Sequence, residues 1–113
     1  MTVVETPVFL RKAASVWDED EHDAGIAFVA SNPEAGNVIP ETGGVRKLRW
    51  AAKGKGKSGG ARVIYYFHNQ SMPVFMLSVY AKNEKADLSP AERNEMKKLV
   101  PQLLRAYSKG MMQ

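Results

Sequence analysis

The sequence predicts an α+β fold in the order β-α-α-β-β-β-α, with about four strands and a helix near the C-terminus. Three observations carry this prediction: two helix-start signals early in the chain, three β-prone segments in its middle, and a capping pattern ahead of a late apolar stripe. A chain of 113 residues is long enough for one domain with a modest core. We therefore expect a single domain over residues 1–113.

Local signals mark the first strand and the first two helices. Thr2–Thr6 is short and β-branched, which favours a strand. Thr6-Pro7 supplies a hydroxyl N-cap and a proline for the first helical position. The acidic run Asp18–Asp23 opens a second helix, because carboxylates are favoured at helix N-termini, and Asn32-Pro33 ends it.

Three strands are predicted in the middle of the chain. They follow Asn32–Gly44, which is rich in turn residues and typical of a loop. The first strand is Val45–Ala51, and the loop Lys53–Gly60 separates it from the second. The second and third strands, Ala61–His68 and Val74–Tyr80, are rich in β-branched and aromatic residues.

Alternation along these strands predicts which side chains share a face. It places Arg46 on one face and Lys47 with Arg49 on the other. In the two later strands it groups residues that would meet if the strands pair: Arg62, Ile64 and Tyr66 in one, and Met76, Ser78 and Tyr80 in the other. The opposite face of the last strand is assigned to Phe75, Leu77 and Val79. We therefore expect Arg62 and Tyr80 on one exposed patch if these strands pair. The alternative is that Tyr80 is a half-buried aromatic residue at a strand end, which serves only packing, and that Lys82 is a charge in the following loop.

The C-terminal helix is predicted from its start signal and its apolar spacing. Ser89–Glu92 is a capping-box pattern with proline at the first helical position. Apolar residues then recur at helical spacing as far as Tyr107. Pro101 interrupts this pattern and predicts a kink or break near Val100, and residues 107–113 are expected to fray.

Charge is distributed unevenly along the chain. The net charge is +4, yet residues 1–44 carry eight acidic and two basic side chains, whereas residues 45–113 carry fourteen basic and four acidic ones. This asymmetry predicts a basic working surface and an acidic, solvated opposite side. The chain has no cysteine, no secretion-signal pattern and no apolar run of membrane-spanning length, so we expect a cytoplasmic protein without membrane association.

The densest positive charge lies in Gly43–Arg62, which contains seven Lys or Arg residues and no acidic residue. A concentrated cationic field with mobile lysines favours a polyanionic partner such as RNA. The alternative is a solvated hairpin loop whose lysines only keep the sheet edge from pairing with other chains.

Two other motifs are weak. Ala51–Ser58 resembles a phosphate-binding P-loop, but Ala51 replaces its first glycine, and a β-prone segment follows where a helix is required. His22 lies in the acidic run without a second histidine at helical spacing. We therefore expect no metal site and no cofactor.

The side chains left for catalysis are those of Lys, Arg and Tyr, because no nucleophile motif is present. These groups can cleave RNA without a metal ion. A base takes the proton of the 2′-hydroxyl, which attacks the adjacent phosphate, and an acid protonates the leaving 5′-oxygen while cations stabilise the added charge. Clustered cations favour loss of a lysine's proton, and arginine suits a phosphate.

Three blocks, Gly43–Arg49, Lys53–Tyr66 and Val79–Ser89, closely resemble one group of HigB toxins in the RelE/ParE superfamily. The resemblance covers about residues 36–104. It implies N-terminal helices packed on a mainly antiparallel sheet. It also implies a toxin of a type II toxin–antitoxin pair, which cuts mRNA on the ribosome and is neutralised by a helix-turn-helix antitoxin of the HigA kind.

The resemblance further implies an active face built from lysines near the second strand, an arginine in the third, and a tyrosine or basic residue near the end of the fourth. The catalytic candidates are Arg62, Tyr80, Lys82 and Lys55. The candidates for RNA or ribosome binding are Arg46, Lys47, Arg49, Lys53 and Lys57. Superfamily toxins that use a catalytic histidine have no counterpart here, so the identity of the general base stays open.

Two other functions stay open. A ParE-like toxin would inhibit DNA gyrase by protein–protein contact and would lack the cleaving residues, whereas Arg62, Tyr80 and Lys82 are present. A non-catalytic nucleic-acid-binding module would bind RNA with a steep salt dependence and would never cut it.

Overall fold

The computed structural model describes residues 1–50, 60–85 and 87–111, and it confirms the predicted α+β class. Within these residues, five strands are present: β1 (Val3–Glu5), β2 (Asn37–Val38), β3 (Val45–Trp50), β4 (Ala61–Tyr66) and β5 (Val74–Ala81). The helices of this part of the chain are α1 (Pro7–Val16), α2 (Glu19–Ser31) and α3 (Pro90–Met111).

The strands form one mixed sheet in the order β1-β5-β4-β3-β2. β1 runs parallel to β5, and the other neighbours are antiparallel, so the expected mainly antiparallel sheet is confirmed. The strand beyond the predicted four is β2, which lies in a segment predicted to be a loop. Its two residues are too few to show the alternation from which a strand is recognised.

A tight reversal joins β2 to β3. The buried hydroxyl of Thr42 donates to the carbonyl of Ile39 at 2.7 Å and accepts from the N–H of Val45 at 3.0 Å. Gly43 and Gly44 follow with φ angles of 80° and 112°, which glycine adopts without steric cost. This reversal lays β2 along the outer edge of β3.

Side-chain caps start the first two helices as predicted. The N–H of Phe9 donates to the Thr6 hydroxyl at 3.3 Å, with Pro7 at the start of α1. Asp18 and Glu21 form a reciprocal capping box at α2, in which each side chain accepts from the other residue's N–H at 2.8 and 2.9 Å. These caps satisfy N–H groups that have no partner inside the helix.

Apolar side chains form one core on each face of the sheet. α1 and α2 cover the first face, where Phe9 and Val63 are buried. α3 covers the second face, where Ile64 and Val100 are buried. The sheet is therefore the middle layer between two sets of helices.

A β-bulge in β5 interrupts the regular alternation. Ile64 lies opposite Ser78, but the next residue, Tyr65, lies opposite Met76, so Leu77 is an extra residue in β5. A bulge of this kind shifts the side chains that follow it to the other face of the sheet.

Because of the bulge, part of the predicted assignment of side chains to the two faces of the sheet is wrong. Tyr80 lies on the same face as Arg62, as predicted, because the two residues are directly opposite. The predicted grouping of Val79 with Leu77 is wrong, since Val79 packs in the core under α1 and α2. The predicted grouping of Met76 with Tyr80 is wrong for the same reason.

The C-terminal helix begins as predicted and continues further than predicted. The N–H of Glu92 donates to the Ser89 hydroxyl at 3.1 Å, and the N–H of Ser89 donates to the Glu92 carboxylate at 2.8 Å. The helix is continuous across Pro101 and runs to Met111, so the predicted break does not occur, and the predicted fraying is wrong through residue 111. None of the helices described here is both long and apolar enough to cross a membrane.

Candidate active site

Three side chains form a row across the sheet, at the end where β3 finishes, β4 begins and β5 finishes. Arg62 in β4 lies opposite Arg49 in β3 and opposite Tyr80 in β5. Directly opposite residues of antiparallel strands point to the same face, with Cβ atoms about 4.5–5.5 Å apart. The structure thus brings together two catalytic candidates and one binding candidate on the α3 side of the sheet.

Arg62 is held by its strand and keeps its charge available. Its side chain is half-buried, and one guanidinium nitrogen donates to the Ala61 carbonyl at 3.4 Å. In the described part of the chain, no carboxylate forms an ion pair with it. An unneutralised guanidinium on a rigid strand suits a bidentate contact with a phosphate.

Tyr80 is buried, contrary to the exposed position predicted for it. Only 1% of its surface is exposed, and its hydroxyl has no hydrogen-bond partner among the described residues. Burial raises the pKa of Tyr80, the charges of Asp87 and Glu92 raise it further, and the charge of Arg62 opposes them. The phenol therefore stays protonated at neutral pH, which makes it a proton donor rather than a base.

Lys85 covers the ring of Tyr80. Its ammonium nitrogen lies 4.9 Å from the ring centroid, within the range of a cation–π contact. The same ammonium forms an ion pair with Glu92, and the hydrogen bond from Lys85 is the main reason that the pKa of Glu92 is lowered. The first turn of α3 thus holds Lys85 over Tyr80.

Lys82 lies at the same end of the sheet. Its side chain is exposed, and its N–H donates to the Gly60 carbonyl at 2.8 Å, which fixes it beside the start of β4. β3 ends at Trp50 and β4 begins at Ala61, so both ends of the lysine-rich stretch between them join this end of the sheet. Three lysines predicted from the sequence lie outside the described residues: Lys53, Lys55 and Lys57.

A cleft of about 560 Å³ lies beside the row, between β2, β3 and the start of α3. Its charged lining residues are Lys47, Arg49, Asp87 and Arg93. Asp87 lies between two of them, with one oxygen 3.3 Å from the Lys47 ammonium and the other 3.7 Å from the Arg93 guanidinium. Partial burial acts to raise the pKa of Asp87, but hydrogen bonds from Leu88 and Lys47 and the nearby charges bring it below its usual value.

Arg46 lies on the opposite face of the sheet from Lys47 and Arg49, as alternation predicts. Its guanidinium donates to the carbonyls of Glu34 at 3.2 Å and Gly36 at 2.7 Å. These bonds fasten the segment after α2 to β3. The structure therefore does not bring Arg46 together with the other candidates.

Four residues at this end of the sheet were not identified from the sequence: Lys85, Asp87, Glu92 and Arg93. A usable signal exists for Arg93. It precedes Met96 by three positions and Val100 by seven, which places it on the apolar stripe of α3 that faces the sheet. Lys85 and Asp87 precede the helix, where no periodic pattern assigns a direction.

The structure favours neither the P-loop nor a metal site. From Gly60 the chain continues into β4, where a P-loop requires a helix. In the ranges that the structure describes, no group of His, Asp and Glu side chains is arranged to hold a metal ion. His22 instead contacts the carboxylate of Glu5 and packs edge-on against Phe9, with ring centroids 5.7 Å apart.

The comparison with known families agrees with this architecture. Residues 6–113 match the family described as the RelE toxin of the RelE/RelB toxin–antitoxin system. The match extends from the cap of α1 to the end of the chain, so it includes the row, the cleft and all of α3. Since it covers nearly the whole sequence, the chain belongs to the RelE family of toxins, which act in toxin–antitoxin pairs.

Proposed function

We propose that this chain is a single-domain, HigB-like toxin that cuts mRNA on translating ribosomes and is neutralised by a helix-turn-helix antitoxin of the HigA kind. Protein side chains supply the acid, the base and the charge stabilisation for attack by the RNA 2′-hydroxyl. The observation that carries the proposal is the pairing of Arg62 with Tyr80. It sets an unneutralised guanidinium opposite a neutral phenol, at the end of the sheet where β3 finishes and β4 begins.

Arg62 binds the scissile phosphate in this mechanism. Attack by the 2′-hydroxyl adds negative charge to the phosphate oxygens, and donors held in place before the reaction stabilise that charge at no reorganisation cost. The β4 strand supplies this preorganisation, because Arg62 is paired on both sides, with Arg49 and with Tyr80.

Tyr80 donates the proton that the leaving 5′-oxygen needs. Its hydroxyl is protonated, buried and without a partner in the described structure, so a substrate oxygen would satisfy it. Lys85 lies over the ring of Tyr80, so a substrate that approaches Tyr80 from that face displaces the Lys85 side chain.

A lysine takes the proton of the 2′-hydroxyl. The two candidates are Lys55, in the basic segment, and Lys82, whose side chain is exposed beside the start of β4. Around Lys55 the sequence clusters other lysines, and clustered cations favour the neutral amine that a base requires. The products are then a 2′,3′-cyclic phosphate on one fragment and a 5′-hydroxyl on the other.

The substitution Arg62→Ala tests this function. We expect mRNA cleavage in a purified translation system to fall by about a hundred- to a thousandfold, the usual cost of losing one such donor. The fold and antitoxin binding should be retained, because the described contacts of Arg62 are one long hydrogen bond and its strand pairing. Cleavage is measured by primer extension on a defined mRNA.

Arg11→Ala is the matched control, because Arg11 is exposed on α1, on the other side of the sheet. It should cleave like the unmodified protein. A folded Arg62→Ala protein that cuts at the normal rate would remove Arg62 from the site. Growth arrest with intact mRNA and accumulating DNA breaks would instead support a gyrase-directed toxin.

A further inference from the structure

The charged cleft beside the candidate active site has features that the cleavage mechanism does not use. It contains three cations, Lys47, Arg49 and Arg93, and one carboxylate, Asp87. Arg93 comes from α3, whereas the other two cations come from β3, so the cations converge from two elements on one open space.

Asp87 takes the position of an anionic ligand between two of these cations. One carboxylate oxygen faces Lys47 at 3.3 Å, and the other faces Arg93 at 3.7 Å. The two non-bridging oxygens of a phosphodiester present the same charge and a similar spacing. The Asp87 side chain is also 46% exposed, so an incoming anion can compete with it from solvent.

Two further observations show that Asp87 does not satisfy all the positive charge and N–H donors of these side chains. Arg49 is exposed and forms no ion pair with the described residues. The Nε atom of Arg93 is buried without a hydrogen-bond partner in the described structure. A phosphate that enters the cleft meets the Arg49 guanidinium, a donor that Asp87 does not engage.

The position of the cleft identifies the anion. Arg49 lines the cleft and is also the direct neighbour of Arg62 in the row. An RNA strand whose scissile phosphate lies at Arg62 therefore continues past Arg49 into the cleft. Asn37 and Ile39 line the same space and offer polar and apolar contacts to a base or sugar.

We propose that Lys47, Arg49 and Arg93 form a binding subsite for an RNA phosphate next to the scissile one, and that Asp87 occupies this subsite in the free protein as an internal competitor. The proposal rests on the proposed function, because the scissile phosphate is assigned to Arg62. Asp87 lowers the affinity for RNA, and it holds Lys47 and Arg93 in place until RNA displaces it.

The test measures binding of a short, fluorescein-labelled RNA with 2′-O-methyl sugars, which cannot be cleaved, by fluorescence anisotropy over a range of salt concentrations. Asp87→Asn should bind it about fivefold more tightly, because the competing charge is lost while an amide oxygen can still accept from Leu88. Arg93→Gln should bind about fivefold more weakly, and its salt slope should fall by about 0.7, as expected for one lost phosphate contact on a single strand.

Arg105→Gln is the matched control, since it makes the same change at an exposed position further along α3. It should bind RNA with unchanged affinity. Tighter binding by Asp87→Asn separates the proposal from a purely structural role for the Asp87 pairs, because loss of a structural contact would not raise affinity.

The proposal is overturned if the Asp87 and Arg93 variants bind this RNA like Arg105→Gln, or if the unmodified chain does not bind it. It is also overturned if Arg93→Gln weakens only the complex with the antitoxin, which would make the cleft a protein contact. A chain that shows the expected binding changes but leaves ribosome-bound mRNA intact would contradict the proposed function while supporting phosphate binding in the cleft and its competition by Asp87.

Discussion

At the residue scale, the buried hydroxyl of Tyr80 lowers the stability of the fold, and this cost is what we expect of a side chain kept for the proposed reaction. A buried hydroxyl without a partner destabilises a folded protein by about 1–3 kcal/mol. The Tyr80 hydroxyl is such a group within the described structure, whereas the equally buried Tyr65 accepts a hydrogen bond from the N–H of Gly36 at 2.8 Å. In these two adjacent strands, the hydroxyl of Tyr65 therefore stabilises the folded protein and the hydroxyl of Tyr80 destabilises it.

The substitution Tyr80→Phe should separate stability from activity. We expect the free energy of unfolding in urea to rise by about 1 kcal/mol, because the unpartnered hydroxyl is removed and the packed ring is kept. Cleavage of ribosome-bound mRNA should fall by about a hundredfold, the lower range for loss of a general acid. Both are measured on the same purified protein.

Tyr65→Phe makes the same chemical change with the opposite expected result. It leaves the Gly36 N–H unpaired, so the free energy of unfolding should fall by about 1–3 kcal/mol. Destabilisation by Tyr80→Phe would mean that its hydroxyl has a structural partner. Full activity of that variant would remove Tyr80 from the acid role.

The bulge at Leu77 is the feature of greatest consequence at the scale of elements. Without an extra residue, Tyr80 would share a face with Val74 and Met76, which pack in the core under α1 and α2. The bulge turns Tyr80 to the α3 side, directly opposite Arg62. The local irregularity of β5 therefore assembles the row, in keeping with the occurrence of bulges next to active sites.

α3 yields a second prediction at this scale, because it contains Pro101 in its interior. Proline removes one helical hydrogen bond and clashes with the preceding turn, at a cost of about 3 kcal/mol relative to alanine. Its stiffening of the unfolded chain offsets about 1 kcal/mol of that cost. Pro101→Ala should therefore raise the free energy of unfolding in urea by about 2 kcal/mol, with no change in cleavage rate.

Pro7→Ala is the control for that substitution. Pro7 is the first residue of α1, where the missing N–H costs nothing, so its replacement should not stabilise the protein. Equal effects of the two substitutions would show that α3 accommodates Pro101 without strain. The side chain of Pro101 is exposed, so neither outcome reflects a cavity in the core.

The sequence predicted most of the fold, because caps and alternation are local signals. Thr6, Asp18 and Ser89 each mark a helix start through a side chain that bonds within three residues. The bulge could not be predicted, because Ser78 is the one polar side chain in β5 and a single residue cannot show which face alternation follows. β2 was missed because it is held by its pairing with β3 rather than by its own two residues.

The candidate site was predicted only in part, because some of its contacts join residues that are far apart in the chain. Arg62 and Tyr80 were identified through the family resemblance, and their pairing follows from strand register. The burial of Tyr80 and the roles of Lys85 and Arg93 depend on how α3 packs over the sheet. Such packing joins residues far apart in the chain and leaves no pattern in either segment alone.

At the scale of the whole molecule, the acidic residues of α2 and the cations of the candidate site lie on opposite sides of the sheet. The acidic residues Glu19, Asp20 and Asp23 are exposed on α2, on the face opposite the row. The cations of the row and the cleft lie on the α3 side. A field with this polarity attracts a nucleic acid to one face and repels it from the other, so under the proposed function it turns the candidate site toward RNA.

The most direct test of the central claim is the chemistry of the RNA ends after the unmodified toxin is added to ribosomes translating a defined mRNA. Attack by the 2′-hydroxyl should give a cut mRNA with a 2′,3′-cyclic phosphate on the upstream fragment and a 5′-hydroxyl on the downstream one. A 2′-deoxy substitution at the cut position should abolish that cut, because it removes the attacking hydroxyl. Intact mRNA, or fragments that carry a 3′-hydroxyl and a 5′-phosphate, would contradict the account.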